Sequence, residues 1–438
     1  MMTPPRGTPS WPCAGTNDEP FNGCRARKWR IALYSHDAVG LGHMRRNMLI
    51  AETIMSSSIP ASILLVGGAR EACAFKLPRG VDWLTLPSFQ KNAGGEYQSR
   101  SLDVGLDELV SLRSRLIATA LEAFAPDVFI VDKRPRGALR ELDRALQCLR
   151  AAGQTRCVLG LRDVLDDPAR VQQEWCDDDD EAAVHDFYDA IWVYGDRSVY
   201  DQVREYEYPA HIAAKLRYTG YLIRDKHVNN PDELSPEPFQ QSIGPDERVV
   251  LCTVGGGQDG GQLAEAFAQI SFPAGVKGIL LTGPFMPADL QMRLRALAAG
   301  NSRLCVIQFL SDVDWLIHRA SAIVAMGGYN TVWEALYRGK RLLIVPRVQP
   351  RQEQLIRAQR LERLKFVDVL CPDRVTPGAL SAWIERGEGS VIAPSTRLDF
   401  TGSRNLLHFL GEMLLAPLSE ARGAKPRSFD RRHHHAVG

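Results

Sequence analysis

Residues 325–347, AMGGYNTVWEALYRGKRLLIVPR, read as the end of a buried strand, a glycine pair, an amphipathic helix, a further glycine and a second buried strand. Short apolar runs joined by a stretch of helical period are the pattern of a parallel sheet covered by helices. In such a sheet Gly327 and Gly328 lie at the carboxyl end of a strand, where ligands bind. Thr331 and Glu334 follow, three apart on one helix face. Two readings fit them. T-x-x-E is a capping box that satisfies helix-end donors. Alternatively, the positive helix end and the Thr331 hydroxyl meet a phosphate while the Glu334 carboxylate takes a ribose diol.

The same rhythm extends in both directions. Strand candidates begin at 30 (RIALYSH), 61 (ASILLVGG), 81 (VDWLTLP), 127 (DVFIVDK), 156 (RCVLGLRD) and 190 (AIWVYGD), pause, and resume at 248, 277, 303, 321 and 341. The pause, 221–247, is polar and proline-bearing, as an interdomain linker would be. The expected fold class is α/β, with two doubly wound Rossmann-like domains in tandem: 29–220, and 248–398 for the nucleotide side. A helix over 399–418 follows, and residues 1–28 and 419–438 read as disordered or flexible tails.

A chain of 438 residues is too long for one ordinary core. With 53 basic against 52 acidic residues, no global charge favours nucleic acid as a partner. Nine cysteines without a C-x-x-C pair give no metal-finger or disulfide framework, which suits reduced thiols in a cytoplasmic protein. No apolar run reaches the roughly 18 residues that span a bilayer, so membrane contact would be peripheral.

Other strand ends repeat the glycine device. After the first strand, SHDAVGLGHMRR places Gly40 and Gly42 before a helix starting near His43, where backbone can approach a ligand and a histidine can act as base or oxyanion donor. Arg45 occupies the place of the third glycine of a dinucleotide fingerprint, which weakens a hydride-transfer reading. Arg45 and Arg46 suit a phosphate or a solvated helix face. In the second half, CTVGGGQDGG brings Gly255, Gly256, Gly257 and Gln258 to a strand end without the G-K-[ST] of a P-loop. Downstream, Glu353 and Gln354 open another helix near the same surface. The acidic run 176–186 reads as a solvated loop, not a metal site.

Together these motifs resemble glycosyltransferases of the GT-B architecture, specifically family 28, the group that includes the peptidoglycan lipid-intermediate N-acetylglucosaminyltransferase. The resemblance is strongest over 217–365 and returns at 36–50. It implies two Rossmann-like domains facing a cleft and an inverting transfer from a nucleoside diphosphate sugar, of UDP-GlcNAc type, to a hydroxyl acceptor in envelope, polysaccharide or glycoconjugate synthesis. His43 is the implied base, with Asp37 and Asp132 behind it, and Gly40 and Gly42 face donor and acceptor. Arg224 would neutralise the diphosphate; Gly256, Gly257 and Gln258 resemble the family's second glycine loop, with glycine where the family has serine. Leu310 backbone would pair with the base, Gly328, Thr331 and Glu334 would hold phosphate and ribose, and Glu353 with Gln354 would read the sugar. No cofactor or metal is implied, because helix ends and Arg224 carry the departing charge. Lys91, Arg134 and Arg136 could meet acceptor phosphate. An epimerase of the same fold and a catalytically silent scaffold are the alternatives.

Overall fold

A computed structural model describes residues 27–36, 42–68, 76–91, 97–224, 243–244, 246–310, 313–386 and 397–417. Gly40, Asp37, most of the 221–247 segment and residues 1–26 and 418–438 lie outside the described residues.

The N-terminal domain carries β1 (Trp29–Ser35), α1 (Gly42–Met55), β2 (Ala61–Gly67), β3 (Val81–Thr85), β4 (Phe89–Lys91), β5 (Tyr97–Ser99), α2 (Leu106–Phe124), β6 (Val128–Asp132), α3 (Asp143–Ala152), β7 (Arg156–Arg162), α4 (Pro168–Asp177), α5 (Asp180–Phe187), β8 (Ala190–Tyr194), α6 (Gln202–Glu205), α7 (Ala210–Ala213) and β9 (Leu216–Tyr218). Seven of these strands form one sheet in the order β3-β2-β1-β6-β7-β8-β9, parallel throughout. The C-terminal domain carries β10 (Arg248–Thr253), α8 (Gly261–Ala268), β11 (Val276–Leu281), α9 (Ala288–Ala299), β12 (Leu304–Ile307), α10 (Asp314–Arg319), β13 (Ala320–Ala325), α11 (Tyr329–Tyr337), β14 (Arg341–Ile344), α12 (Glu353–Arg363), β15 (Asp368–Val369), α13 (Pro377–Glu385) and α14 (Gly402–Leu415). Its six parallel strands run β12-β11-β10-β13-β14-β15.

Continuous apolar runs such as Ile31–Tyr34 and Val249–Cys252 sit in mid-sheet, buried on both faces. Strand order reverses beside β1, between β2 and β6, and beside β10, between β11 and β13. Each reversal splays the following loops apart and opens a crevice at the carboxyl ends.

Several expectations change. The loop at 88–100 contributes two antiparallel arms, β4 and β5. The acidic run is not a solvated loop but forms the end of α4 and most of α5, where Asp178 accepts from Arg134 at 2.7 Å. The linker's first residues are core: Tyr221 stacks on Trp333 with ring centroids 3.4 Å apart. Helix α14 crosses back to the N-terminal domain, where Phe409 lies 6.2 Å from Trp192 and Asn405 donates to Thr219 O at 2.8 Å. Among the described residues no helix is long and apolar enough to cross a membrane.

Candidate functional site

On the N-terminal wall, α1 begins at Gly42, and its first turn turns His43 and Arg46 toward the end of β6. Asp132, at that strand end, is 2% exposed. His43 Nδ1 donates to Asp132 Oδ2, and Arg46 grips both carboxylate oxygens at 2.6 and 2.7 Å. Burial depresses the His43 imidazole to about 4 even though Asp132 pulls the other way, so it is neutral near pH 7 and able to accept a proton. Asp132 is held far below the usual carboxylate range by Arg46 and His43, against the opposing effect of its own burial. The result is an imidazole whose Nδ1 is fixed by a carboxylate, leaving Nε2 as the base atom. His36 packs beside it at 4.6 Å between ring centroids.

The C-terminal wall is built from backbone. After β10, Gly257 has φ +93, and a Cβ there would lie 2.3 Å from Thr282 O. This loop is therefore glycine because it interlocks with 282–286, where Phe285 donates to Gly256 O at 2.9 Å. After β13 the helix α11 starts at Tyr329 with Gly328 as its N-cap and no side-chain cap bond. Thr331 is thus the third helical residue and not a cap, so the capping box does not form. The amides of the first turn have no intrahelical acceptor and face whatever occupies the cleft.

Between the walls lies a cleft of about 230 Å³. Gly42, Gly256, Leu310, Gly328, Thr331 and Gln354 all line it, six of the residues expected for the site, together with Arg45, Arg46 and Arg162. The walls touch across it: Arg45 donates to Leu310 O at 3.3 Å and Asn330 to Gly42 O at 3.4 Å. Arg45 is therefore not a solvated helix arginine. Below the cleft, buried Arg357 ties the domains together. It bonds Asp163 at 2.6 and 2.8 Å and Gly327 O at 2.9 Å.

Other expected residues stand elsewhere. Arg224 is ion-paired with Glu52 at 3.1 Å. Glu52 is ten residues along α1 from Gly42, about 15 Å at the helical rise, and Arg224 is not among the residues that line the cleft. Gln258 is exposed and Gly257 is committed to packing; neither lines the cleft. Glu353 is buried and held by Arg347 at 2.6 Å, while Gln354 Oε1 accepts from Arg347 N at 3.0 Å. Glu334 lies one turn beyond Thr331, half-buried. Arg134 and Arg136, considered for acceptor phosphate, are occupied by Asp178 and Asp143. Sequence reading missed Arg162; its strand-end position was the available signal.

Residues 251–388 match the model of the glycosyltransferase family 28 C-terminal domain. That segment holds every residue of the C-terminal wall. No curated protein matches the chain in sequence. Among solved structures, the chain is similar to a UDP-glucosyltransferase from Polygonum tinctorium in complex with 3,4-dichloroaniline (13% identity, 90% of this chain and 100% of that one, TM-score 0.59). It is also similar to Arabidopsis thaliana UGT89C1 complexed with UDP-L-rhamnose (14%, 89% and 100%, TM-score 0.57) and to Acinetobacter baumannii MurG (11%, 88% and 100%, TM-score 0.53). At such identities the likeness shows the fold: GT-B, two Rossmann-like domains facing a cleft. Family 28 domain and fold together support a nucleotide-sugar glycosyltransferase.

Proposed function

We propose that the protein is an inverting glycosyltransferase that moves a sugar from a uridine diphosphate sugar of UDP-GlcNAc type to a hydroxyl acceptor in envelope or polysaccharide assembly. The observation that carries this reading is one cleft lined on one side by Arg45 and Arg46 of the α1 first turn, the same turn that holds the Asp132-oriented His43, and on the other by the open amide end of α11. In this scheme the α11 first turn and the Thr331 hydroxyl hold the diphosphate, the Leu310 backbone meets the base once Arg45 releases it, and Glu334 takes the ribose diol.

As the acceptor oxygen attacks the anomeric carbon, its proton passes to His43 Nε2 and the bond from that carbon to the diphosphate oxygen breaks. The departing diphosphate keeps the electron pair, stabilised by the helix-end amides. Asp132 stabilises the imidazolium that forms. Attack opposite the leaving group inverts the anomeric centre.

The test is a calorimetric titration with UDP, GDP, dTDP and oxidised nicotinamide dinucleotide, with Glu334→Ala as control. One nucleoside diphosphate should bind selectively and lose about tenfold or more in the variant, the worth of a charge-assisted hydrogen bond. Binding of none of them would retire the transferase reading in favour of a silent scaffold. Conversion of the donor sugar without any acceptor would indicate an epimerase.

A further inference from the structure

Arg45 stands where the two walls join. It belongs to the first turn of α1, and the first turn of α11 meets that turn through Asn330, which donates to Gly42 O at 3.4 Å. From this joint the half-buried Arg45 side chain reaches across the cleft and donates to Leu310 O at 3.3 Å. Its neighbour Arg46 is locked by both oxygens of buried Asp132. The Leu310 bond, by contrast, joins a cation to a neutral carbonyl, in a corner of the cleft lined by apolar Phe309, Val313, Ile317 and Leu281. A guanidinium gains more from an ionised acceptor, which it can take with two parallel bonds, than from a carbonyl. An apolar corner with one carbonyl suits the edge of a heterocyclic base that carries an N–H, but the guanidinium already holds that carbonyl. The α11 first turn lines the same cleft, through Tyr329, Asn330 and Thr331.

We propose that Arg45 couples the base seat to the phosphate seat, so that the cleft selects a nucleoside diphosphate over the nucleoside alone; the proposal rests on the nucleotide-sugar reading. The base N–H replaces the guanidinium as donor to Leu310 O, and the guanidinium turns to the diphosphate at the α11 first turn. The exchange leaves neither the carbonyl nor the guanidinium without a partner, as buried polar groups require. A nucleoside without phosphate displaces the guanidinium and offers it no anion. Pyrophosphate without a base draws the guanidinium away and opens Leu310 O to the next donor. Each half of the ligand therefore eases the entry of the other, and linkage makes that coupling reciprocal.

The experiment titrates the full chain by calorimetry with uridine, with uridine in the presence of excess pyrophosphate, and with UDP, for wild type and Arg45→Met. In wild type, pyrophosphate should tighten uridine about fivefold, the worth of the hydrogen bond that no longer competes for Leu310 O. In Arg45→Met three changes should appear together. Uridine alone should bind about fivefold tighter than to wild type, pyrophosphate should no longer help it, and UDP should weaken about threefold or more, because the lost bond to phosphate outweighs the freed carbonyl. Opposite signs for uridine and UDP are what a merely structural arginine would not produce. Should GDP or dTDP prove to be the nucleotide that binds, its own nucleoside replaces uridine, since guanine and thymine present the same kind of ring N–H. If Arg45→Met does not fold, the effect of pyrophosphate on wild type decides alone. Wild-type uridine affinity that pyrophosphate lowers or leaves within twofold, uridine still undetectable under pyrophosphate, or uridine and UDP weakened alike in Arg45→Met would overturn the coupling, while UDP binding itself upholds the donor reading. If wild type binds none of the three nucleoside diphosphates, the donor reading falls and the coupling falls with it.

Discussion

The two walls of the cleft are made of different material. The N-terminal wall presents side chains, with Arg45, Arg46 and Arg162 lining the cleft and the His43–Asp132 pair bonded to Arg46. The C-terminal wall presents backbone, through Gly255, Gly256, Gly283, Gly328 and the carbonyl of Leu310. Amides and carbonyls in a fixed frame recognise a ligand without a titrating group and lose little when a nearby side chain changes. Buried charges have sharp protonation states, so one replacement alters chemistry outright. Under the proposed function, the contrast puts reaction on the first wall and holding on the second.

The hardest test of that division is His43→Ala. Removing a positioned base should lower turnover by about 10²- to 10⁴-fold, while nucleotide affinity, set by the opposite wall, stays within threefold. Asp132→Asn should lower turnover as well, with an added loss of stability because it strips Arg46 of its buried counter-charge. A His43→Ala enzyme turning over within threefold of wild type would break the comparison.

Where the walls join, Arg357 and Asp163 are each 1% exposed. Replacing one member of such a pair leaves a buried charge uncompensated, so Arg357→Ala should cost about 3–5 kcal/mol in urea unfolding. Nucleotide binding should weaken too, since Arg357 also holds Gly327 O. The double variant Asp163→Leu/Arg357→Met should recover much of the stability. A single variant costing under about 1 kcal/mol would show that the walls do not depend on this joint.

Acid should act through the first wall. His43 titrates near 4 in the folded chain, below the ordinary 6.5, so the unfolded chain binds more protons between those values. Its contribution is therefore complete above pH 6.5 and lost as pH falls toward 4, roughly 3 kcal/mol in all. His43→Asn should flatten that part of the stability profile relative to wild type. Identical slopes from pH 6.5 to 4 would mean that His43 is not held neutral.

The backbone wall was more legible in the sequence than the charged one, and the reason is physical. Glycine loops and strand ends are local, so Gly256, Gly328 and the doubly wound pattern follow from spacing alone. The roles of Arg45 and Arg162 depend on partners in other strands or the other domain, Leu310 and Glu353, which no spacing connects. Nor does spacing show that Tyr221, expected in a linker, packs on Trp333, or that Arg224 pairs with Glu52 on α1. The choice between cap and ligand for Thr331 turned on where α11 starts, a matter of two residues that propensity does not resolve. The acidic run shows the same limit: its helices are fixed by contacts with Arg134 and Arg136 from the loop after β6.

The smallest effect separates two neighbouring glycines. Gly327 has φ +90, and a Cβ on it would lie 2.9 Å from Ile344 Cγ2, so the fold itself requires glycine. Gly328 has an ordinary extended backbone, φ −61 and ψ 141, with nothing within 4 Å of an added Cβ. The fold does not need a glycine there; under the proposed function a ligand approaching the α11 amides does. Gly327→Ala should therefore lower stability by about 1–2 kcal/mol. Gly328→Ala should leave the melting temperature unchanged or raise it slightly, and weaken UDP by about tenfold through crowding of the phosphate seat. If Gly328→Ala binds UDP as wild type does, the second glycine is only a turn residue and the backbone wall begins at the 255–256 loop.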